Sequence, residues 1–311
     1  MYYIGVDLGG TNIVVGLVNE EGKILDFMTW DTKKERPVEL IFDDIIKMTQ
    51  EIISRNNLEK DQINGIGIGS PGIIDSKEGE IVYSNNIVIN NFYAVKYIED
   101  KTGIKTKIAN DADCAALGEV VAGAAKGFKD AIVITLGTGV GSGIVIDGKI
   151  FNGFFPGGAE VGHQIIVKDG EKCTCGNQGC FEAYASATAL IKMANRVAKK
   201  YPESKLADVK EEDMTAKIPF DLAWQGDKVA LNVINNYIDY LAIGINNIIN
   251  IFKPQVLLIG GGVSRQGDKL IKPLIERVQK MVFGGHLSTE IKVAILGNDA
   301  GLVGAAMLNQ E

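Results

Sequence analysis

Ile4-Gly-Val-Asp-Leu-Gly-Gly-Thr-Asn-Ile-Val-Val-Gly-Leu-Val18 returns, altered but recognisable, as Ile132-Val-Ile-Thr-Leu-Gly-Thr-Gly-Val-Gly-Ser-Gly-Ile-Val-Ile146. Each copy reads as an apolar strand, a glycine/threonine loop and a second apolar strand. A turn follows, Glu21-Gly22 in one copy and Asp147-Gly148 in the other, and then a third strand starts at Lys23 or Lys149. Asp-Gly has the composition of a tight hairpin turn. Two like units predict duplicated domains that face each other.

Beyond each unit the pattern alternates. Pro37–Asn56 has helical spacing, with Leu40, Ile41, Ile45, Met48 and Ile52 on one face. Ile63–Ile68 and Thr106–Ala109 read as strands, Tyr93–Thr102 as a helix, and Asp111–Ala122 as a helix capped by its own Asp. Later helices are predicted over Ser186–Tyr201, Asp227–Phe252, Asp268–Val282 and Gly301–Leu308, with strands at Val256–Ile259 and Ile291–Ile295. Such alternation predicts an α/β fold whose sheet is mostly parallel and covered on both faces. The charged stretch Lys199–Glu212 reads as a solvated loop.

The 311 residues are 46% hydrophobic, with 37 Gly and only 7 Pro, enough core for one large or two medium domains with many tight loops. A net charge of -7 argues against a nucleic-acid partner, because phosphate backbones need basic patches. The greasiest long run, Leu241–Phe252, is interrupted by Gly244 and by asparagines, so no membrane span is expected. The N-terminus opens directly into a strand, and a cytoplasmic protein is the expectation.

The loops carry the first chemical hints. Gly9-Gly10-Thr11-Asn12 and Gly137-Thr138-Gly139 sit between strands, where bare backbone can approach a phosphate. Gly260-Gly261-Gly262 follows a strand and suits a flat nucleotide base. None matches the P-loop or the dinucleotide fingerprint. Asp7 enters its loop as a lone carboxylate, either a turn cap or a group that holds magnesium through water. Asn110-Asp111 opens a helix, either as a capping pair or with Asp111 as a general base kept ionised by the helix dipole.

The third cluster is His163 with Cys173, Cys175 and Cys180. Three of the four cysteines and one of the two histidines fall within eighteen residues. Thiolates plus an imidazole are what a tetrahedral zinc site uses, and four protein ligands make it structural rather than catalytic. A disulfide is disfavoured in a reducing compartment, and Cys173 and Cys175 are awkwardly close to bridge. Cys114, in an alanine-rich segment, reads as a small buried hydrophobe.

These residues together resemble the ROK family (repressors, open reading frames and sugar kinases). The motifs are Asp7-Leu-Gly-Gly-Thr-Asn, Gly69-Ser-Pro-Gly72, Ala109-Asn-Asp-Ala112, Leu136-Gly-Thr-Gly-Val-Gly, Gly158-Ala-Glu-Val-Gly-His163, Cys173-Thr-Cys-Gly-Asn-Gln-Gly-Cys-Phe-Glu182 and Ile259-Gly-Gly-Gly-Val-Ser264. Ser142 departs from the pattern, standing where many relatives have glycine. Within the family the chain looks most like the ATP-dependent glucokinases of bacteria. The resemblance implies the actin-like ATPase fold, two RNase-H-like domains closing on a cleft. The expected division is a small domain of residues 1–112 with about 296–311, and a large one of 113–295 that carries the zinc segment 163–180.

It further implies that Asp111 takes the proton from the 6-hydroxyl of D-glucose. Asn110, Glu160, His163 and Glu182 would hold the sugar hydroxyls. Gly9, Gly10, Thr11, Asn12, Gly137, Thr138 and Gly139 would meet the ATP phosphates, and Gly260, Gly261 and Gly262 the adenosine. Structural zinc, magnesium with ATP and a homo-oligomer, dimer or tetramer, complete the expectation. Kinases for fructose, N-acetylmannosamine or N-acetylglucosamine are the nearest rivals. A sugar-responsive repressor and an actin-like filament protein are more distant ones.

Overall fold

The computed structural model describes residues 1–154 and 156–310. Strands β1 (Tyr2–Leu8) and β2 (Asn12–Asn19) pair antiparallel, with Val6 opposite Val15. Both are apolar on both faces because both faces are covered. Strand β3 (Ile24–Asp31) lies at the edge and alternates half-buried with exposed residues. Helix α1 (Val38–Arg55) follows, burying Ile41, Ile45, Met48 and Ile52.

Strand β4 (Ile63–Ser70) enters parallel to β1. A small antiparallel sheet of β5 (Ile73–Asp75), β6 (Glu80–Ser84) and β7 (Ile89–Phe92) then intervenes. Helix α2 (Ala94–Thr102) leads into β8 (Thr106–Asn110), which pairs parallel with β4. The first sheet therefore has the order β3-β2-β1-β4-β8. It is mixed rather than mostly parallel. The short loop after β1 allows only a hairpin, since a parallel return needs a crossover of a dozen residues or so.

Helix α3 (Asp111–Ala122) is capped by Asn110, not by Asp111 as expected: the Asn110 side chain accepts from the Ala112 N–H. After it come β9 (Ala131–Leu136), β10 (Val140–Ile146) and β11 (Lys149–Ile150). Asp147 and Gly148 turn the β10–β11 hairpin with φ of 50° and 76°, the backbone that a primed turn requires. Helices α4 (Glu182–Ala185), α5 (Ala187–Lys200), α6 (Lys217–Trp224) and α7 (Lys228–Phe252) follow. Strand β12 (Val256–Gly260), helix α8 (Asp268–Met281), strand β13 (Glu290–Val293) and helix α9 (Asp299–Met307) complete the chain. The second sheet has the order β11-β10-β9-β12-β13, so it echoes the first, with an antiparallel β10–β11 hairpin and a parallel β12–β13 pair.

Compactness divides the chain into two units, Met1–Val133 with Gly143–Ala159 and Ile295–Glu311, and Ile134–Ser142 with Glu160–Ala294. The first unit so defined runs past residue 112 and includes α3. The reason is the packing of α3 on α9: a Cβ at Gly304 would sit 1.6 Å from the Cys114 carbonyl oxygen, so the two backbones touch. Cys114 is fully buried there, as a hydrophobe would be. Residues 199–212 also differ from a plain loop, because they form two 3-10 turns that bury Leu206. Among the described residues no helix is long and apolar enough to cross a membrane.

Candidate active site

In the first unit the parallel strands β1, β4 and β8 end side by side. Asp7 pairs in register with Gly69, and Ser70 with Asn110. Carboxyl ends of parallel strands are where α/β folds bind ligands, since loops there are free to vary. Asn110 is locked at both ends of its amide: Oδ1 accepts from Ala112 N at 2.9 Å and Nδ2 donates to the Gly72 carbonyl at 3.0 Å. Asp111 Oδ1 accepts from the same Ala112 N–H at 2.8 Å.

The carboxyls of this unit differ from the expected picture. Burial pushes Asp7 up to about 6, with the Asp111 charge adding to the effect. Surrounding protein also raises Asp111, against the pull of its own and the Ala112 N–H. Asp111 nonetheless stands exposed, as a base that must reach a substrate requires. Asp7 accepts no hydrogen bond from the described residues. It borders a cleft of about 650 Å³ together with Asn12, Asn298 and Asp299. A half-buried carboxylate without a protein partner, beside room for water, fits a hydrated magnesium ion.

The loop after β1 uses one of its own amides: Gly9 N–H donates to the Asn12 carbonyl at 2.9 Å, so that N–H is not open to a phosphate. The Thr32 hydroxyl donates to the Gly9 carbonyl at 2.6 Å, and Thr32 N–H to the Thr11 carbonyl at 2.8 Å. Thr11 and Asn12 stand exposed at the loop tip.

In the second unit, His163, Cys173, Cys175 and Cys180 offer ligand atoms that all lie within 4.8 Å of one another. Cys175 Sγ and Cys180 Sγ are 3.6 Å apart, and Cys173 Sγ and His163 Nδ1 3.7 Å. Zinc bonds of about 2.0–2.3 Å place tetrahedral ligand atoms about 3.5–3.8 Å apart, so the cluster fits that ion. A knuckle makes this possible: Cys173 N–H donates to the Asn177 carbonyl and Gly176 N–H to the Cys173 carbonyl, with Gly176 at φ 94°. The thiols are not alike. Burial holds Cys180 up to about 12, whereas a backbone N–H at Asn177 draws Cys175 down. His163 enters through a 3-10 turn headed by Glu160, whose side chain is exposed. With Nδ1 toward the thiols, Nε2 remains for another partner.

Glu182 lies less open than expected. Its Oε2 accepts from Val140 N–H at 3.0 Å, and its Oε1 from the Thr174 hydroxyl at 3.1 Å. Gly137 N–H is committed to the Gly139 carbonyl, while Gly262 stays bare, with no heavy atom within 4 Å of where a Cβ would stand. Ser142, the departure from the family pattern, accepts from Val161 N–H at 3.3 Å. Thr32, Thr174 and Thr188 were not legible as site residues, because Thr32 and Thr188 act on backbone distant in sequence and Thr174 on the Glu182 carboxylate, partners that meet only on folding. A further cavity of about 450 Å³ adjoins the cluster, lined among others by Thr174, Glu182, Lys192, Asn236 and Tyr240.

Carboxylates at strand ends, two glycine loops and a His–Cys₃ knuckle thus occur in one α/β chain. The chain belongs to the ROK family, whose family model matches residues 3–311. It is 40% identical over 99% of its length to a glucokinase of Thermotoga maritima, covering 97% of that protein. It is 37% identical, again over 99%, to a glucokinase of Halalkalibacterium halodurans, covering 94% of it. Among solved structures it resembles a ROK family glucokinase from Streptomyces griseus in complex with glucose and AMPPNP, with TM-score 0.77, 35% identity and 99% coverage of both chains.

Proposed function

We propose that this chain is an ATP-dependent glucokinase that transfers the γ-phosphoryl group of ATP to the 6-hydroxyl of D-glucose. The observation that carries the reading is the 40% identity to a glucokinase over 99% of the chain. It is supported by the exposed Asp111 beside a locked Asn110 at the end of β8. In this reading the fold is of the actin-like ATPase class. Its functional domains are 1–112 with 296–311, and 113–295.

Asp111 orients the attacking hydroxyl and accepts its proton as the oxygen attacks phosphorus. No protein nucleophile is needed, since phosphoryl transfer depends mainly on positioning and electrostatics. Asn110, Glu160, His163 and Glu182 hold the ring hydroxyls. Thr11 and Thr138, exposed at their loop tips, meet the phosphates together with the glycines around them, and Gly260–Gly262 face the adenosine. Magnesium, when bound, would neutralise phosphate charge, and Asp7 is the residue that would hold it through water. Zinc supplies a rigid cross-link of His163, Cys173, Cys175 and Cys180. We further assign the enzyme to the cytoplasm and to a dimer or tetramer.

A coupled ADP-release assay over a hexose panel tests the reading. Glucose is expected to show the highest kcat/KM. A much higher value for fructose, N-acetylmannosamine or N-acetylglucosamine overturns the substrate assignment, and no turnover of any hexose overturns the activity.

A further inference from the structure

The loop after β9 is held almost entirely by the segment that follows the Cys/His cluster. Ala187 N–H donates to the Gly137 carbonyl at 2.8 Å, and the Thr188 hydroxyl to the Thr138 carbonyl at 2.8 Å. Val140 N–H donates to Glu182 Oε2 at 3.0 Å. The other oxygen of Glu182 accepts from Thr174, the residue between two cluster cysteines, and lies 3.6 Å from Cys173 Sγ. One carboxylate thus bridges the knuckle and the loop.

Gly139 has its explanation here. A Cβ at that position would stand 2.2 Å from Glu182 Oε2, so the glycine makes room for this carboxylate whatever else approaches the loop. On the other flank, Val161 N–H donates to the Ser142 hydroxyl, two residues before the cluster's His163. Both ends of the metal segment are therefore anchored on the β9–β10 hairpin.

We propose that Glu182 is a positioning residue that couples the metal centre to the nucleotide loop, so that metal occupancy and nucleotide affinity are thermodynamically linked. The inference rests on the reading of residues 137–140 as a phosphate loop. It adds a second task to a carboxylate assigned above only to the sugar. Fixing Cys173 and Cys180 on one ion fixes Thr174 and Glu182, and these fix the direction of the Val140 N–H. Linkage is reciprocal, so a nucleotide that orders the loop must also tighten the metal, and the tightening is read here as slower loss.

The test follows metal release from the native protein to the chromogenic chelator 4-(2-pyridylazo)resorcinol, with and without AMPPNP and magnesium. In the parent, saturating AMPPNP is expected to slow release roughly 10-fold, within the usual span of coupled sites. In Glu182→Ala, which keeps all four ligands, the slowing should vanish, and AMPPNP affinity should fall by a similar factor. Thr174→Val, nearly isosteric and outside the ligand set, should give an intermediate loss, and it serves if the alanine variant does not fold. AMPPNP that binds the parent by calorimetry yet leaves release unaltered overturns the coupling and leaves the kinase reading intact. Equal slowing in the parent and both variants overturns the role of Glu182. Failure of AMPPNP to bind at all overturns both readings.

Discussion

The loops Gly9–Asn12 and Gly137–Gly139 begin from nearly the same local sequence, but they are supported differently. The first is steadied by Thr32, at the end of the strand it adjoins, through bonds to the Gly9 and Thr11 carbonyls. The second is steadied by Ala187, Thr188 and Glu182, which follow the Cys/His knuckle. A duplicated hairpin thus keeps its three-residue loop while the bond that closes it and the source of its rigidity diverge. One loop depends only on its own sheet and lies beside the acidic groups Asp7 and Asp111. The other depends on the segment that carries the Cys/His cluster. Perturbing either loop's support should therefore leave distinct signatures.

The largest effect belongs to the acidic side. Asp111→Asn is expected to lower kcat by about two to four orders of magnitude, the usual worth of a general base. Metal content, glucose affinity and the thermal transition should stay near those of the parent. Near-normal turnover would exclude Asp111 as the base.

Next comes the metal side. Cys173→Ser should abolish stoichiometric zinc, lower the thermal midpoint and weaken nucleotide binding together, because metal binding and folding are coupled. If the purified parent holds no zinc by elemental analysis, and its thiols react freely in the native state, the contrast between the loops collapses.

Glu160→Gln probes the sugar without touching either loop. Losing a charged partner of a buried hydroxyl costs about 1–3 kcal/mol, read as a raised glucose KM with the ATP KM nearly unchanged. Equal rises in both would remove Glu160 from the sugar wall.

Thr32→Val should be smaller, about 1 kcal/mol for one hydrogen bond. It should weaken nucleotide binding a few-fold and leave the rate of metal release untouched. A change in metal release would show that the loops are not independently supported.

The gentlest test is pH. Asp7 is held up to about 6 in the fold, against an ordinary 3.8. Between those values the folded chain keeps a proton that the unfolded chain has lost, so stability without ligands should fall as pH rises from about 4 to 6 and level off above. Magnesium needs the ionised form, so its affinity should weaken below pH 6. Asp7→Asn should flatten the stability profile, measured by thermal melts without nucleotide.

Much of this molecule was legible before folding. Local rules set the hairpin at Asp147-Gly148, the apolar face of α1 and the buried strand at Val256, because these depend on neighbours a few residues away. Ligand chemistry and spacing picked out His163, Cys173, Cys175 and Cys180, since few other patterns bring three thiols and an imidazole together. Burial and long-range approach stayed invisible to the sequence. That burial raises the Asp111 carboxyl against the pull of the neighbouring backbone N–H groups is one such effect. The small sheet of β5, β6 and β7 escaped notice because its strands are short.

By itself the sequence determined a duplicated α/β chain with a four-ligand knuckle, glycine loops and an acidic residue at a helix start, because each of these is written within a short span. Only the tertiary structure decided that β4 and β8 extend the first sheet beside β1, that α3 stays with α9, and that Glu182 reaches back forty-two residues to the Val140 N–H. The physical reason is that strand order, backbone contact between helices and the partner of a carboxylate are set by which surfaces meet on folding, and no local spacing encodes that meeting.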